Sequence, residues 1–185
     1  MKKKKTIIKF LIKFFVTYAL LVLIYNFYLD QTQQHGDAFS CSPITKTVAY
    51  HTQKLANIFG YQATVYQHEN ELSMKFYLGN HYSFRLVEGC NSISIIILFL
   101  SFIVAFSGSI TATILFGLVG IAVIYMMNLV RLLTISVLTK EYPQYDYFLH
   151  DLLFPAIIYG TVMVLWIIWV NRFSYLKKPR HEKKS

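Results

Sequence analysis

The chain has 185 residues, 55% of them hydrophobic and 17% aromatic, with a formal net charge of +9. So apolar a composition in so short a chain excludes an ordinary soluble domain. Most of its 18 Lys and Arg lie near the two termini, as expected of tails that meet anionic lipid, so the charge gives no argument for nucleic-acid binding.

In chain order, a basic stretch at 1–13 precedes an apolar run at 14–29, where Lys9 and Lys13 can snorkel to the headgroups. A cleaved signal peptide would have a similar start, but no A-x-A-like site follows. Cys41, preceded by Asp37, Ala38, Phe39 and Ser40, stands too far beyond the run for a lipoprotein reading. A retained anchor is expected. The next segment, 30–89, reads as a small folded insertion. Ser42 and Pro43 start an amphipathic helix with Ile44, Val48, Leu55 and Ile58 as its apolar stripe and Gly60 as its stop. The runs 71–78 and 81–87 alternate in part around Gly79-Asn80, which predicts a β-hairpin leading directly into Glu88-Gly89-Cys90.

No Asp, Glu, Lys or Arg occurs between Glu88 and Arg131. A helix needs about 20 residues to cross a hydrocarbon core roughly 30 Å thick, so this interval accommodates two spans, 90–106 and 110–130, folded at Ser107-Gly108-Ser109. After a loop at 131–150, a last span is expected at 151–171, followed by a basic tail at 172–185. The fold class expected is an all-α integral membrane protein of four transmembrane helices, with a small extracytoplasmic α+β insertion (helix plus β-hairpin) before the second helix. The retention of basic residues on the inner side puts both termini in the cytoplasm and 30–89 and 131–150 outside.

That topology brings Cys90, Arg131 and His150 to one face. Each has a plain structural reading: a small buried cysteine, an arginine anchoring a helix end, a solvated histidine. Together they supply a nucleophile, a cation for an oxyanion or for substrate orientation, and a base that later acts as acid, which are the parts of an acyl-transfer site. A helix N-terminus and a nearby cation both favour a thiolate. Asn128 shares a helical face with Arg131 at i and i+3 and extends the polar site into the span. Competing readings pair Cys90 with Cys41 in a disulfide, or use His35, His51, His68 and His81 as metal ligands, although their spacings match no ligand pattern. There is no Gly-rich phosphate loop or dinucleotide fingerprint, so neither metal nor cofactor is expected.

Glu88-Gly89-Cys90-Asn91-Ser92 opening a helix, Asn128-Leu129-Val130-Arg131 closing the next and His150-Asp151 opening the last resemble the exosortase and archaeosortase membrane enzymes, in particular the small exosortase F type. The likeness covers most of the chain and is strongest over 85–160. It implies a cysteine protease or transpeptidase of a bacterial inner membrane, with Cys90 as nucleophile, Arg131 and His150 completing the catalytic set and Asn128 supporting it. The substrates implied are exported proteins carrying a C-terminal transmembrane helix and basic tail. Membrane lipid is the other expected contact, a dedicated accessory protein is a candidate partner, and nucleic acid is not among them. The chain has only the four-helix core where many exosortases carry extra spans, and Ser92 stands where glycine is often expected beside the nucleophile. A non-enzymatic scaffold of an export or surface-polysaccharide system is the alternative. It should tolerate Cys90→Ala, Arg131→Ala and His150→Ala singly, which a catalyst should not.

Overall fold

The first helix, α1, runs over Lys2–Thr32. Its basic first turns continue without a break into the apolar run, because Lys and Phe, Leu and Ile are all compatible with helix and no Gly or Pro interrupts them. The computed structural model describes residues 2–34, 39–106, 108–142, 144 and 154–173. Phe10 of α1 packs edge-on against Phe106 at 4.5 Å and Phe102 at 6.2 Å. Ile8, Phe15, Ile24 and Phe27 of the same helix are exposed. A helix this apolar with one bare face is solvated by lipid rather than water.

The insertion follows. Helix α2, Pro43–Ile58, begins as its sequence requires: Ser42 is the N-cap, its hydroxyl accepts from Thr45 N–H, and Pro43 occupies the first helical position. The buried face differs from the expected stripe. Thr45, Val48, Ala49, Thr52 and Ala56 are buried, whereas Ile58 is 72% exposed. Small side chains set the inward face because they let α2 lie close to its neighbours, and Thr52 satisfies its hydroxyl on Val48 O. Gly60 ends the helix with φ +85°, a conformation favouring glycine.

A three-stranded antiparallel sheet comes next, not a two-stranded hairpin: β1 (Ala63–Gln67), β2 (Ser73–Leu78) and β3 (His81–Val87), in that order. The hairpin turn is at Gly79-Asn80, as expected, with Gly79 at φ +64°. The added strand, β1, has alternating Thr64, Val65 and Tyr66, the pattern of a half-buried strand. Val65 pairs with Phe76, and Phe76 with Phe84. Phe76, Met74, Leu78 and Leu86 form the inner face, and Phe76 stacks on Phe84 with centroids 5.0 Å apart.

One 3-10 turn, Glu88–Cys90, joins β3 to helix α3, Ile93–Ala105. The expected span 90–106 is therefore divided, and its helical part has 13 residues, about 20 Å at 1.5 Å per residue. Helix α4, Ile110–Glu141, opens on the Ser109 hydroxyl, which accepts from Ala112 N–H. It does not stop at Val130. Leu129, Leu132 and Ile135 are buried beneath α2 and the sheet, so the helix continues through Arg131 to complete that second core. At 32 residues it is about 48 Å long, well beyond a 30 Å hydrocarbon core. The last helix, α5, is Phe154–Arg172.

Among the described residues, three helical segments are long and apolar enough to cross a membrane, Lys4–Thr32, Ile110–Glu141 and Pro155–Arg172, while Ile93–Ala105 is apolar but shorter. The protein is thus mostly helical and membrane-embedded, with a small α+β unit containing the hairpin. Its two cores share α4. One gathers Phe99, Ile103, Ile124, Val162 and Trp169 between α3, α4 and α5. The other gathers Val48, Met74, Phe76, Leu86 and Leu132 between α2, the sheet and the second half of α4.

Candidate active site

Cys90 stands where the two cores meet, on the 3-10 turn between sheet and bundle, half-buried and packed against the α2 and sheet core. It lies before α3, not within its first turn. The chain enters α3 through Asn91 and Ser92. The Asn91 side-chain oxygen accepts from Ile93 N–H at 3.0 Å, serving as the effective cap. Ser92 adopts φ +67°, the left-handed region that a side chain disfavours and glycine does not. A Ser at a place where glycine is often expected thus occupies a backbone conformation suited to glycine.

Asn128 of α4 donates from Nδ2 to the Cys90 carbonyl at 3.0 Å. It is fully buried, and its Oδ1 has no hydrogen-bond partner among the described residues. One turn further along, Arg131 has a buried Nε that also lacks one. A buried polar atom left unpaired costs about 1–3 kcal/mol, so an acceptor and a donor without partners among the described residues, one turn apart, mark a polar spot beside the Cys90 turn. Arg131 was expected at a helix end; it is instead an interior residue of α4, because Leu132 and Ile135 beyond it are core residues. Cys90 and Asn128 are therefore brought together, and Arg131 follows Asn128 at helical spacing. His150 lies outside the described residues.

Sequence reasoning missed the residues that hold the cysteine turn. Glu88 Oε1 accepts from Ser42 N–H at 2.9 Å and from Gln33 Nε2 at 3.1 Å; its Oε2 accepts from Ser42 Oγ at 2.9 Å, Asn91 Nδ2 at 3.1 Å, and Thr45 Oγ1. Asn91 Nδ2 also approaches Tyr25 Oη at 2.7 Å. The end of α1, the N-terminus of α2 and the turn itself are thereby tied at one carboxylate, placed where the α2 dipole favours a negative charge. A carboxylate bordering the longest uncharged stretch of the chain was the available signal. Beside it, a cleft of about 270 Å³ opens between α1 and α3, lined by Val22, Tyr25, Asn26, Gly89, Ser94 and Ile97 among others.

The other thiol differs. Cys41 is buried, with Sγ 3.2 Å from Gln67 Oε1. Burial, reinforced by the Glu88 carboxylate, raises its thiol pKa. Both cysteines are free, so the disulfide alternative is not formed. Of the histidines considered as ligands, His51 makes a 2.7 Å hydrogen bond with Tyr125 Oη, joining α2 to α4. Among the described residues no group of three or more His, Cys, Asp or Glu is arranged to hold a metal ion.

Comparison with curated proteins and with solved structures finds no match. The family described as transmembrane exosortase (Exosortase_EpsH), whose members are generally cysteine transpeptidases, has a model that matches residues 8–170 of the 185. A match over nearly the whole chain, on a fold of long apolar helices with a cysteine turn at their junction, shows that this protein belongs to the transmembrane exosortase family.

Proposed function

We propose that the protein is a membrane-embedded cysteine transpeptidase that cleaves the C-terminal sorting signal of exported proteins and passes the acyl group to an acceptor. The observation that carries this reading is the grip of Asn128 on the Cys90 carbonyl, with the unpartnered Asn128 Oδ1 and Arg131 Nε one turn apart on the same helix. In the proposed reaction the Cys90 sulfur attacks the scissile carbonyl, and His150 accepts the thiol proton. Arg131 stabilises the oxyanion. Collapse breaks the C–N bond, His150 returns its proton to the leaving nitrogen, and a thioester remains on Cys90. An amine, a lipid nucleophile or water then attacks that thioester and regenerates the thiol.

The reading places four spans in a bacterial inner membrane, with α3 as the short second span, both basic termini cytoplasmic and the cysteine turn on the outer face. The length of α4 beyond one bilayer crossing supports an outer extension that bears the α2 and sheet unit. A cleft between α1 and α3 next to Gly89 offers a substrate helix lateral access from the bilayer. The substrates proposed are exported proteins with a C-terminal transmembrane helix and basic tail, delivered with or without an accessory protein. Coexpression of wild type and Cys90→Ala with such proteins from the same genome, followed by intact-mass measurement, tests this. Loss of the tail only with wild type is expected; equal masses across a broad substrate set would overturn it in favour of a scaffold.

A further inference from the structure

Glu88 does more than border the uncharged stretch. Its two oxygens face groups that can only donate: Ser42 N–H and Gln33 Nε2 on one side, Asn91 Nδ2 on the other. The Ser42, Thr45 and Tyr25 hydroxyls complete the shell, Tyr25 at 3.5 Å. A carboxylate satisfies every one of these donors, because it is an acceptor on both oxygens. A carboxamide does not. Turned either way, glutamine would set its NH2 against at least one group with no acceptor to offer. Two residues on, Cys90 shares the turn that this carboxylate anchors, and Asn91, itself a Glu88 partner, starts α3 through its bond to Ile93 N–H.

We propose that Glu88 is a positioning residue of the transpeptidase site: its carboxylate fixes the Cys90 turn between α1, α2 and α3, and so fixes where the nucleophile sits relative to Asn128 and Arg131. The proposal rests on the reading of Cys90 as nucleophile; Glu88 also lines the cleft between α1 and α3, but its carboxylate oxygens are taken up by donors of the chain, so its effect on rate runs through Cys90. Misplacing a reacting group by about 1 Å costs on the order of 100-fold in rate. Loosening the turn should therefore lower kcat more than it raises KM, and free a half-buried thiol for small reagents.

The test uses the full-length protein in lipid vesicles, as wild type, Glu88→Gln, Glu88→Asp and Gln33→Ala. Alkylation of Cys90 and Cys41 by iodoacetamide is followed by peptide mass, and kcat and KM are measured on a substrate identified by the mass screen. For Glu88→Gln the expected result is faster Cys90 alkylation with a cooperative thermal unfolding transition retained. Processing should show kcat reduced about 100-fold with KM changed less than about threefold, and Glu88→Asp should recover part of the loss. Unchanged Cys90 alkylation and unchanged kcat in a protein that keeps its thermal unfolding transition would overturn the proposal. If the thermal unfolding transition of Glu88→Gln is lost, the fold has been lost, and Gln33→Ala decides instead. It removes one donor and keeps the carboxylate, and it should move both readouts in the same direction by less; no movement overturns the proposal. Processing that survives Cys90→Ala would refute the nucleophile reading separately, since the alkylation measurement needs no substrate.

Discussion

The two halves of α4 solve different problems with the same helix. In the first half Gly117, Gly120 and Ile124 meet the aromatic and branched side chains of α3 and α5, chiefly Phe99, Ile103 and Trp169. Position there is set by volume, and a buried hydroxyl such as Ser101 turns back onto its own helix, to Ile97 O. In the second half Asn128, Leu129, Leu132 and Ile135 lie under α2 and the sheet, and the Cys90 turn between the halves is held by hydrogen bonds from α1, α2 and α4. Packing places the helices, and a polar network places the cysteine. Substitutions in the two regions should accordingly separate stability from activity.

The largest expected separation comes from Asn128→Ala. It removes the hold on the Cys90 carbonyl and should reduce the processing rate about 100-fold, the scale of a misplaced reacting group. Its thermal unfolding midpoint should fall little, because the same change deletes an orphaned buried Oδ1 as well as a made hydrogen bond. A large fall in midpoint with the rate per folded molecule retained would erase the distinction between the two halves.

Gly120→Val tests the other half. A Cβ at Gly120 would stand 2.2 Å from the Phe99 ring, and Phe99 is fully buried, so α3 or α4 must shift. Overpacking of this kind costs about 1–3 kcal/mol, more than the helix propensity gained on replacing glycine. The expected outcome is a lower unfolding midpoint in detergent, with kcat per folded molecule near that of wild type. Loss of kcat without loss of stability would mean that the bundle core also sets the cysteine geometry.

The same division governs what could be read in the sequence. Apolar runs disclosed the helices, Ser42-Pro43 and Gly60 disclosed the ends of α2, and Gly79-Asn80 disclosed the turn between β2 and β3, since each reflects a local preference of backbone or burial. Arg131 misled because a charge was taken to close a helix, whereas Leu129, Leu132 and Ile135 repeat at helical spacing across it. The inward face of α2 was misjudged because large apolar residues were assumed to point to the core, and Thr45, Ala49 and Thr52 do so instead. The Glu88 network had no periodic signature at all: its donors come from positions 25, 33, 42, 45 and 91, and only the folded chain brings them together. Cys90 and Asn128, which meet in the fold, could be singled out from the sequence, but not the carboxylate that holds the turn.

Ser92→Gly offers the smallest and sharpest comparison. A left-handed conformation costs a non-glycine residue about 1–2 kcal/mol, and glycine adopts it freely. Against this gain stands the loss of the Ser92 Oγ bond to Asn91 O at 2.6 Å, worth about 1 kcal/mol net, and the greater freedom of glycine in the unfolded chain. The terms nearly cancel, so the unfolding midpoint should move by no more than a few degrees for a shift of a few tenths of a kcal/mol to about 1 kcal/mol. Activity should be retained, because the Glu88 bonds to Gln33, Ser42 and Asn91 and the Asn91 Oδ1 bond to Ile93 N–H do not involve the Ser92 side chain. A marked loss of activity in Ser92→Gly would make its hydroxyl part of the site and would move the boundary between packing and polar control up to the N-cap of α3.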